Sequence, residues 1–263
     1  MHVSICMLHD GMDFVRPHTL NEVSCSTCIR EYPDHYIASI ASRPVYRSSA
    51  VEMRKIGGTH VPEPPRAAAS DSERSRAESL RRARAAIRDI CACSAFTHFW
   101  TLTLSASEVD RYDYKAIIRK VNKWLSNAVT RKGLAYVLIP EYHKDGAIHF
   151  HGLARSAQPM GYVDSGHKTR VGQTVYNLAS WRYGWTVCIE LEGDYARVVN
   201  YIRKYINKGS DKVGGRWYLS GGDISRPRKT YEDWDFSEID APAHAIEGAA
   251  VSFKYIRIDK DNS

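Results

Sequence analysis

Hydrophobic and polar positions alternate with two different periods along the middle of this chain. Thr97 to Leu104 is a run of β-branched and aromatic residues and predicts a strand. Tyr112 to Arg131 places Ile117, Ile118, Val121, Trp124, Leu125 and Ala128 at helical spacing, the mark of an amphipathic helix. Leu134 to Tyr142 predicts a second strand and Ala147 to Ala154 a third. Between them Lys144-Asp145-Gly146 reads as a tight type I′ hairpin turn, so these two strands should be antiparallel. A polar loop follows, then a short helix over Val175 to Tyr183 and a fourth strand over Trp185 to Leu191. Asp194 to Asn207 predicts a helix stopped by Gly209, and Arg216 to Leu219 an edge strand. Strands and helices in that order make an α+β fold. Its core would be a central antiparallel sheet with helices on one face, of the ferredoxin-like kind.

The flanks are harder to read. Residues 1–60 mix short apolar and polar stretches without a persistent period, and 1–70 stands as an N-terminal extension of unassigned role. Val61-Pro62-Glu63-Pro64-Pro65 is a breaker, and the Ala- and Ser-rich stretch after it a linker. Ser72 to Ile90 predicts an Arg-rich helix whose thin stripe of Leu80, Ala83, Ile87 and Ile90 packs on the domain that follows. The main domain spans 71–235, with 236–263 as a C-terminal tail. No internal repeat is visible.

Composition narrows the setting. An apolar fraction of 43% supports a real core, yet no run approaches the ~18 residues that a membrane span needs. The N-terminus lacks the basic start and apolar block of a secretory signal. Six cysteines in a chain of this size do not make a disulfide framework, so a reducing cytoplasm is expected. Cys25-x-x-Cys28 with Cys91-x-Cys93 admits a four-thiolate zinc site, but the wide gap and the Cys-x-Cys spacing favour ordinary thiols.

The net charge of +7 permits a polyanionic partner, and its distribution is more telling. From Arg197 to Lys229 nine basic residues face only Asp211 and Asp223, with Tyr and Trp interleaved. A solvated surface is the bland reading; phosphate and base contact is the better one, with Arg203, Arg226, Arg228 and Lys229 as candidate DNA contacts.

Two motifs carry chemistry. On a strand His149 and His151 project to one face while Phe150 enters the other layer, and flanking Gly146 and Gly152 leave room for a ligand. Imidazoles with a carboxylate can hold a divalent ion. Folding about Asp145 brings Glu141 opposite His149, which makes it the candidate third ligand, with His143 in reserve. Downstream, Tyr201 and Tyr205 share a helix face, and Lys204 and Lys208 each follow one of them by three positions. A phenol with a pKa near 10 is a weak nucleophile at neutral pH; a neighbouring ammonium favours the phenolate. With 11 His and 16 Tyr in the chain, neither motif is rare alone. Their order and setting carry the information.

In that order the chain resembles the HUH endonucleases, specifically the rolling-circle replication initiators of bacterial plasmids and single-stranded DNA phages. The resemblance rests on the strand Phe99-Trp100-Thr101-Leu102-Thr103-Leu104, on His149-Phe150-His151, and on Tyr201-Ile202-Arg203-Lys204-Tyr205-Ile206-Asn207-Lys208, the two-tyrosine version. It covers about residues 74–235. It implies an origin-nicking enzyme in which His149, His151 and a third ligand hold Mg²⁺ or Mn²⁺. A tyrosine then attacks single-stranded origin DNA, leaving a 5′-phosphotyrosine link and a free 3′-hydroxyl. The implied partners are a single-stranded origin or hairpin and a DNA polymerase, in a bacterial cytoplasm. No G-x-x-x-x-G-K-[ST] loop occurs, so a helicase would come from the host.

Three rival readings fit the residues less well. A relaxase usually places its tyrosine before the histidines, and a compact transposase generally uses one tyrosine. Histidine-triad hydrolases want a third alternate His where Leu153 stands; cupins want a Glu where Arg155 and Ser156 stand. A DNA-binding protein without catalysis finds no support in missing residues.

Overall fold

A computed structural model describes residues 24–46, 72–192, 202, 212–245 and 251–260 of the chain. In chain order they form β1 (Ser24–Glu31), β2 (His35–Tyr46), α1 (Ser72–Ser94), β3 (His98–Thr103), α2 (Tyr114–Lys132) and β4 (Leu134–Tyr142). Then come β5 (Ile148–Ser156), β6 (Tyr162–Lys168), β7 (Thr174–Leu178), β8 (Thr186–Glu190), β9 (Leu219–Gly221), β10 (Arg228–Glu232), β11 (His244–Ala245) and β12 (Ser252–Asp259). Contacts divide the chain into two compact units. One comprises residues 1–28, 39–61 and 231–255, the other 29–38, 62–230 and 256–263. No described helix is long and apolar enough to cross a membrane.

Strands β3 to β9 belong to the second unit and form a seven-stranded sheet in the order β6-β7-β8-β3-β5-β4-β9, each neighbouring pair antiparallel. A five-stranded sheet, β10-β1-β2-β12-β11, draws on both ends of the sequence. The class is α+β, as expected.

The pleat sorts the seven-stranded sheet into two faces. Trp100, Leu102, Tyr136, Leu138, Ile148 and Phe150 point one way, into a core closed by Ile117, Val121, Leu125 and Ala128 of α2. Each large aliphatic side chain among them, fully buried, contributes about 1.5–3 kcal/mol. The helix starts where the Asp113 carboxylate accepts the Ala116 N–H at 3.0 Å, and it ends at left-handed Gly133. Phe99, Ala135, Val137, Ile139 and Leu153 point the other way, against Ile87, Ile90 and Cys91 of α1. The stripe on the Arg-rich helix therefore packs as its spacing predicts. It does so on the face opposite α2, because its residues meet the odd-numbered side chains of β4 and β5.

Several local expectations are corrected. Val175 to Tyr183 is not a helix: Thr174–Leu178 is strand β7, whose Tyr176 and Leu178 alternate into the α2-side core. The polar loop before it contains β6, paired to β7 with an irregular register. The edge strand lies at Leu219–Gly221 rather than Arg216–Leu219, beside Tyr136–Leu138 of β4.

The hairpin turn is not type I′ either. Its glycine has φ +84°, but Ala95 is the one non-glycine with positive φ among the described residues. His143 and Gly146 close the turn through a 2.8 Å backbone bond, and the Asp145 carboxylate accepts the Ala147 N–H. This is a three-residue loop ending in a left-handed glycine. Gly152 is required by the sheet rather than by a ligand, since a Cβ there would collide with the Val137 carbonyl and Leu138.

Of the expected helix Asp194–Asn207 only Ile202 is described; it is helical and fully buried. The breaker and linker at 61–71 lie outside the described residues. The hairpin β1–β2 falls within the extension at 1–70. Its inward positions there are Cys25, Thr27, Cys28, Ala38, Ile40 and Ala41, small or interrupted apolar residues without a strong period.

Candidate active site

Three adjacent strands present one polar row on the α1 side of the sheet. Register pairs Thr103 of β3 with His149 of β5, and His149 with Glu141 of β4. One step along, Thr101 pairs with His151, and His151 with Ile139. Side chains two residues apart on a strand share a face, so both imidazoles, both threonines and Glu141 stand together. The spacing His-x-His acts through this register, which sequence alone could place only as far as the β4–β5 hairpin.

Each histidine is held by a threonine. Thr101 Oγ1 lies 3.1 Å from His151 Nδ1, and Thr103 Oγ1 lies 3.3 Å from His149 Nδ1. A proton on Nδ1 donated to the hydroxyl leaves Nε2 its lone pair, the arrangement by which outer groups fix the tautomer of a ligating histidine. The rings are nearly parallel, 7° apart with centroids at 6.5 Å. Nε2 of His151 is 3.4 Å from Glu141 Oε2, so the carboxylate reaches diagonally past its register partner. His143, the reserve ligand, sits beside the other histidine, its ring centroid 4.9 Å from that of His149. Sequence reasoning misses Thr101 and Thr103 as site residues; the alternation of threonines in β3 is the signal that could have found them.

Electrostatics keep His149 neutral. Burial lowers its pKa below the usual histidine value, and the His143 charge pushes the same way. Asp145 opposes this, and itself sits below the ordinary carboxylate range through the Ala147 N–H and its contacts with His143 and Arg111. Neutral imidazole is the ligating form. Two imidazoles and a carboxylate are a donor set that fits a divalent ion. As the side chains stand, no three His, Cys, Asp or Glu among the described residues are in ligating geometry.

The remaining expected residues are dispersed. Tyr201, Arg203, Lys204, Tyr205 and Lys208 lie outside the described residues. Ile202, between the first two, packs into the same cluster as Ile139 and Leu153, on the face that carries the histidines. Arg226, Arg228 and Lys229 are exposed before and within β10, with Arg228 Nε 3.7 Å from Glu31. Cys25, Cys28, Cys91 and Cys93 are free thiols. Burial raises the Cys91 thiol to about 12, and burial with the charges of Asp89 and Asp34 raises Cys93 to about 11.

A family-level likeness bears on this geometry. Residues 97–210 match the model of the Replication-associated protein ORF2 family, a rolling-circle replication initiator family. The matched span runs from β3 through both histidines to the tyrosine segment; α1, the β1–β2 hairpin and the Arg226–Lys229 cluster fall outside it. No curated protein and no solved structure matches the chain.

Proposed function

We propose that this protein initiates rolling-circle replication by nicking single-stranded origin DNA through tyrosine transesterification. The observation that carries the reading is the threonine–histidine row: two imidazoles oriented by hydroxyls at Nδ1, with a carboxylate against one of them. A structural histidine pair needs no such common orientation. The initiator-family match over residues 97–210 supports the same role.

In this reading His149, His151 and Glu141 hold Mg²⁺ or Mn²⁺, which supplies Lewis acidity towards a non-bridging oxygen of the scissile phosphate. The phenolic oxygen of Tyr201 or Tyr205 forms a bond to phosphorus as the bond to the 3′ oxygen breaks. The phenol proton leaves by way of Lys204 or Lys208 and ends on the departing oxygen. The products are a 5′-phosphotyrosine and a free 3′-hydroxyl from which a polymerase extends. The second tyrosine attacks the regenerated junction after one circuit and releases a circle. Arg203, Arg226, Arg228 and Lys229 contribute phosphate contacts, and a host helicase opens the duplex.

The test is a covalent-adduct assay with labelled single-stranded origin DNA and Mn²⁺. His149→Ala and His151→Ala should each abolish adduct while leaving salt-sensitive DNA binding largely intact, since phosphate contacts dominate affinity. Tyr201→Phe and Tyr205→Phe should each retain some adduct and the double variant none. Full activity in His151→Ala would sink the metal assignment. Adduct surviving in the double tyrosine variant would sink the nucleophile assignment.

A further inference from the structure

The polar row does not stop at β3. The Thr103 N–H donates to the Trp185 carbonyl at 2.9 Å, and the Trp185 N–H donates back to the Thr103 carbonyl at 3.1 Å. That exchange makes the two residues a directly opposed antiparallel pair, one step beyond the Leu102–Thr186 pairing where β8 begins. The row therefore reads Trp185, Thr103, His149, Glu141. The next reads Val187, Thr101, His151, Ile139. Opposed residues share a face, so Trp185 stands on the histidine side, two strand spacings or about 10 Å from His149.

Its exposure is what demands an account. Trp185 is 65% exposed and Val187 39%, whereas on the same face Phe99 and Leu153 are covered against α1. The other tryptophans near this part of the sheet are used in packing: Trp100, Trp124 and Trp181 stack in series on the opposite face. An indole costs free energy to leave in water, and it offers about 150–250 Å² when covered. With Val187 it falls far short of the ~800 Å² per partner of a stable protein interface. It is the right size for one planar ring.

We propose that Trp185 is a stacking platform for an unpaired base of the bound strand, a residue that positions the DNA beside the histidine row. The proposal rests on the single-stranded DNA reading above and extends it to a named base-binding site. A flat aromatic beside a phosphate-directed site holds a strand without reading its sequence, because every base has a π-face. A duplex keeps its bases stacked internally and offers Trp185 nothing.

The test compares binding in EDTA, where no nicking is needed, of two probes: a mixed-sequence single strand and a strand of the same length made of abasic sugar-phosphates. Trp185→Ala should weaken binding of the first roughly 5- to 100-fold, the range for losing one base–aromatic stack, and leave the second unchanged. Trp185→Phe should recover most of the loss. If Trp185→Ala folds poorly by urea midpoint, Trp185→Gln serves the same comparison. Equal weakening of both probes, or no weakening of either, overturns the proposal. The two readings fail separately. Wild-type protein that binds with this discrimination but forms no adduct defeats the tyrosine chemistry alone, and adduct formation with no Trp185 effect defeats the stacking site alone.

Discussion

The two faces of the seven-stranded sheet use alternate residues of the same strands to different ends. Under α2, Trp100, Leu102, Leu138 and Phe150 are at most 1% exposed and pack continuously from β8 to β9. On the other side α1 and Ile202 cover only one stretch, around Val137, Leu153 and Phe99. The rows beyond it, from Glu141 and the histidines to Trp185, stay partly open. One face supplies stability to the whole sheet, which lets the other leave polar and aromatic groups uncovered. A site that must meet a large substrate needs that division, since hydrogen-bonded imidazoles buried under a second full layer could not reach a phosphate.

The largest effect should come from the sealed face. Phe150 is fully buried between the two histidines in sequence and faces away from them. Phe150→Ala should lower stability by about 3–5 kcal/mol, read from urea denaturation. A loss below about 1 kcal/mol would show that the α2 side is not the main core.

On the open face the balance should reverse. Thr101→Val keeps the shape of the side chain and removes the hydroxyl 3.1 Å from His151 Nδ1. Stability should change by roughly 0.5–1.5 kcal/mol, the worth of one hydrogen bond. Metal-dependent adduct formation should drop about 10- to 100-fold, as for loss of an outer-shell partner. Raising the Mn²⁺ concentration should restore part of it. Unchanged activity would mean that the hydroxyl does not orient the ring.

The smallest effect concerns pH. His149 is held below its ordinary value near 6.5 by burial, and His98 is shifted the same way. Below about pH 6.5 the unfolded chain binds protons that the folded chain refuses. The stability contribution is therefore complete above that value and lost as pH falls through the folded pKa. Asp34 and Asp145, lowered from 3.8, act in a separate and more acidic window. Urea midpoints between pH 7 and 5 should decline, and His149→Gln should make the decline shallower. A variant with the wild-type slope would remove His149 from the account.

The same contrast explains what could be read from the chain. Strands β3, β4, β5 and β8 and helix α2 were legible because each sends a full stripe into the α2-side core, so period 2 or period 3.6 shows in the hydropathy. Strand β6 was not, because Val163, Asp164, Gly166, His167 and Lys168 are exposed and leave Tyr162 as its core contact. Val175 and Leu178 imitate helical spacing, while the alternation of Tyr176 with Leu178 spans too few residues to outvote it. Hairpin β1–β2 buries Cys25, Thr27 and Cys28, residues that hydropathy barely distinguishes from a loop. For the site, the turn at Asp145 was enough to bring Glu141 to His149. The threonines of β3 and Trp185 beside β8 join the row through pairings between strands far apart in sequence, which no local pattern specifies.

The close approach at Gly152 has an evolutionary consequence. With the Val137 carbonyl where a Cβ would stand, β4 and β5 are fastened at one register, and the loop between Tyr142 and Ile148 must span a set number of residues. Insertion or deletion of a single residue there would shift the pairing by one, turning His149 and His151 inward and Phe150 out to solvent. Surface loops ordinarily accept such length changes readily. This one is forbidden them, so descendants of the chain can vary its letters but not its count.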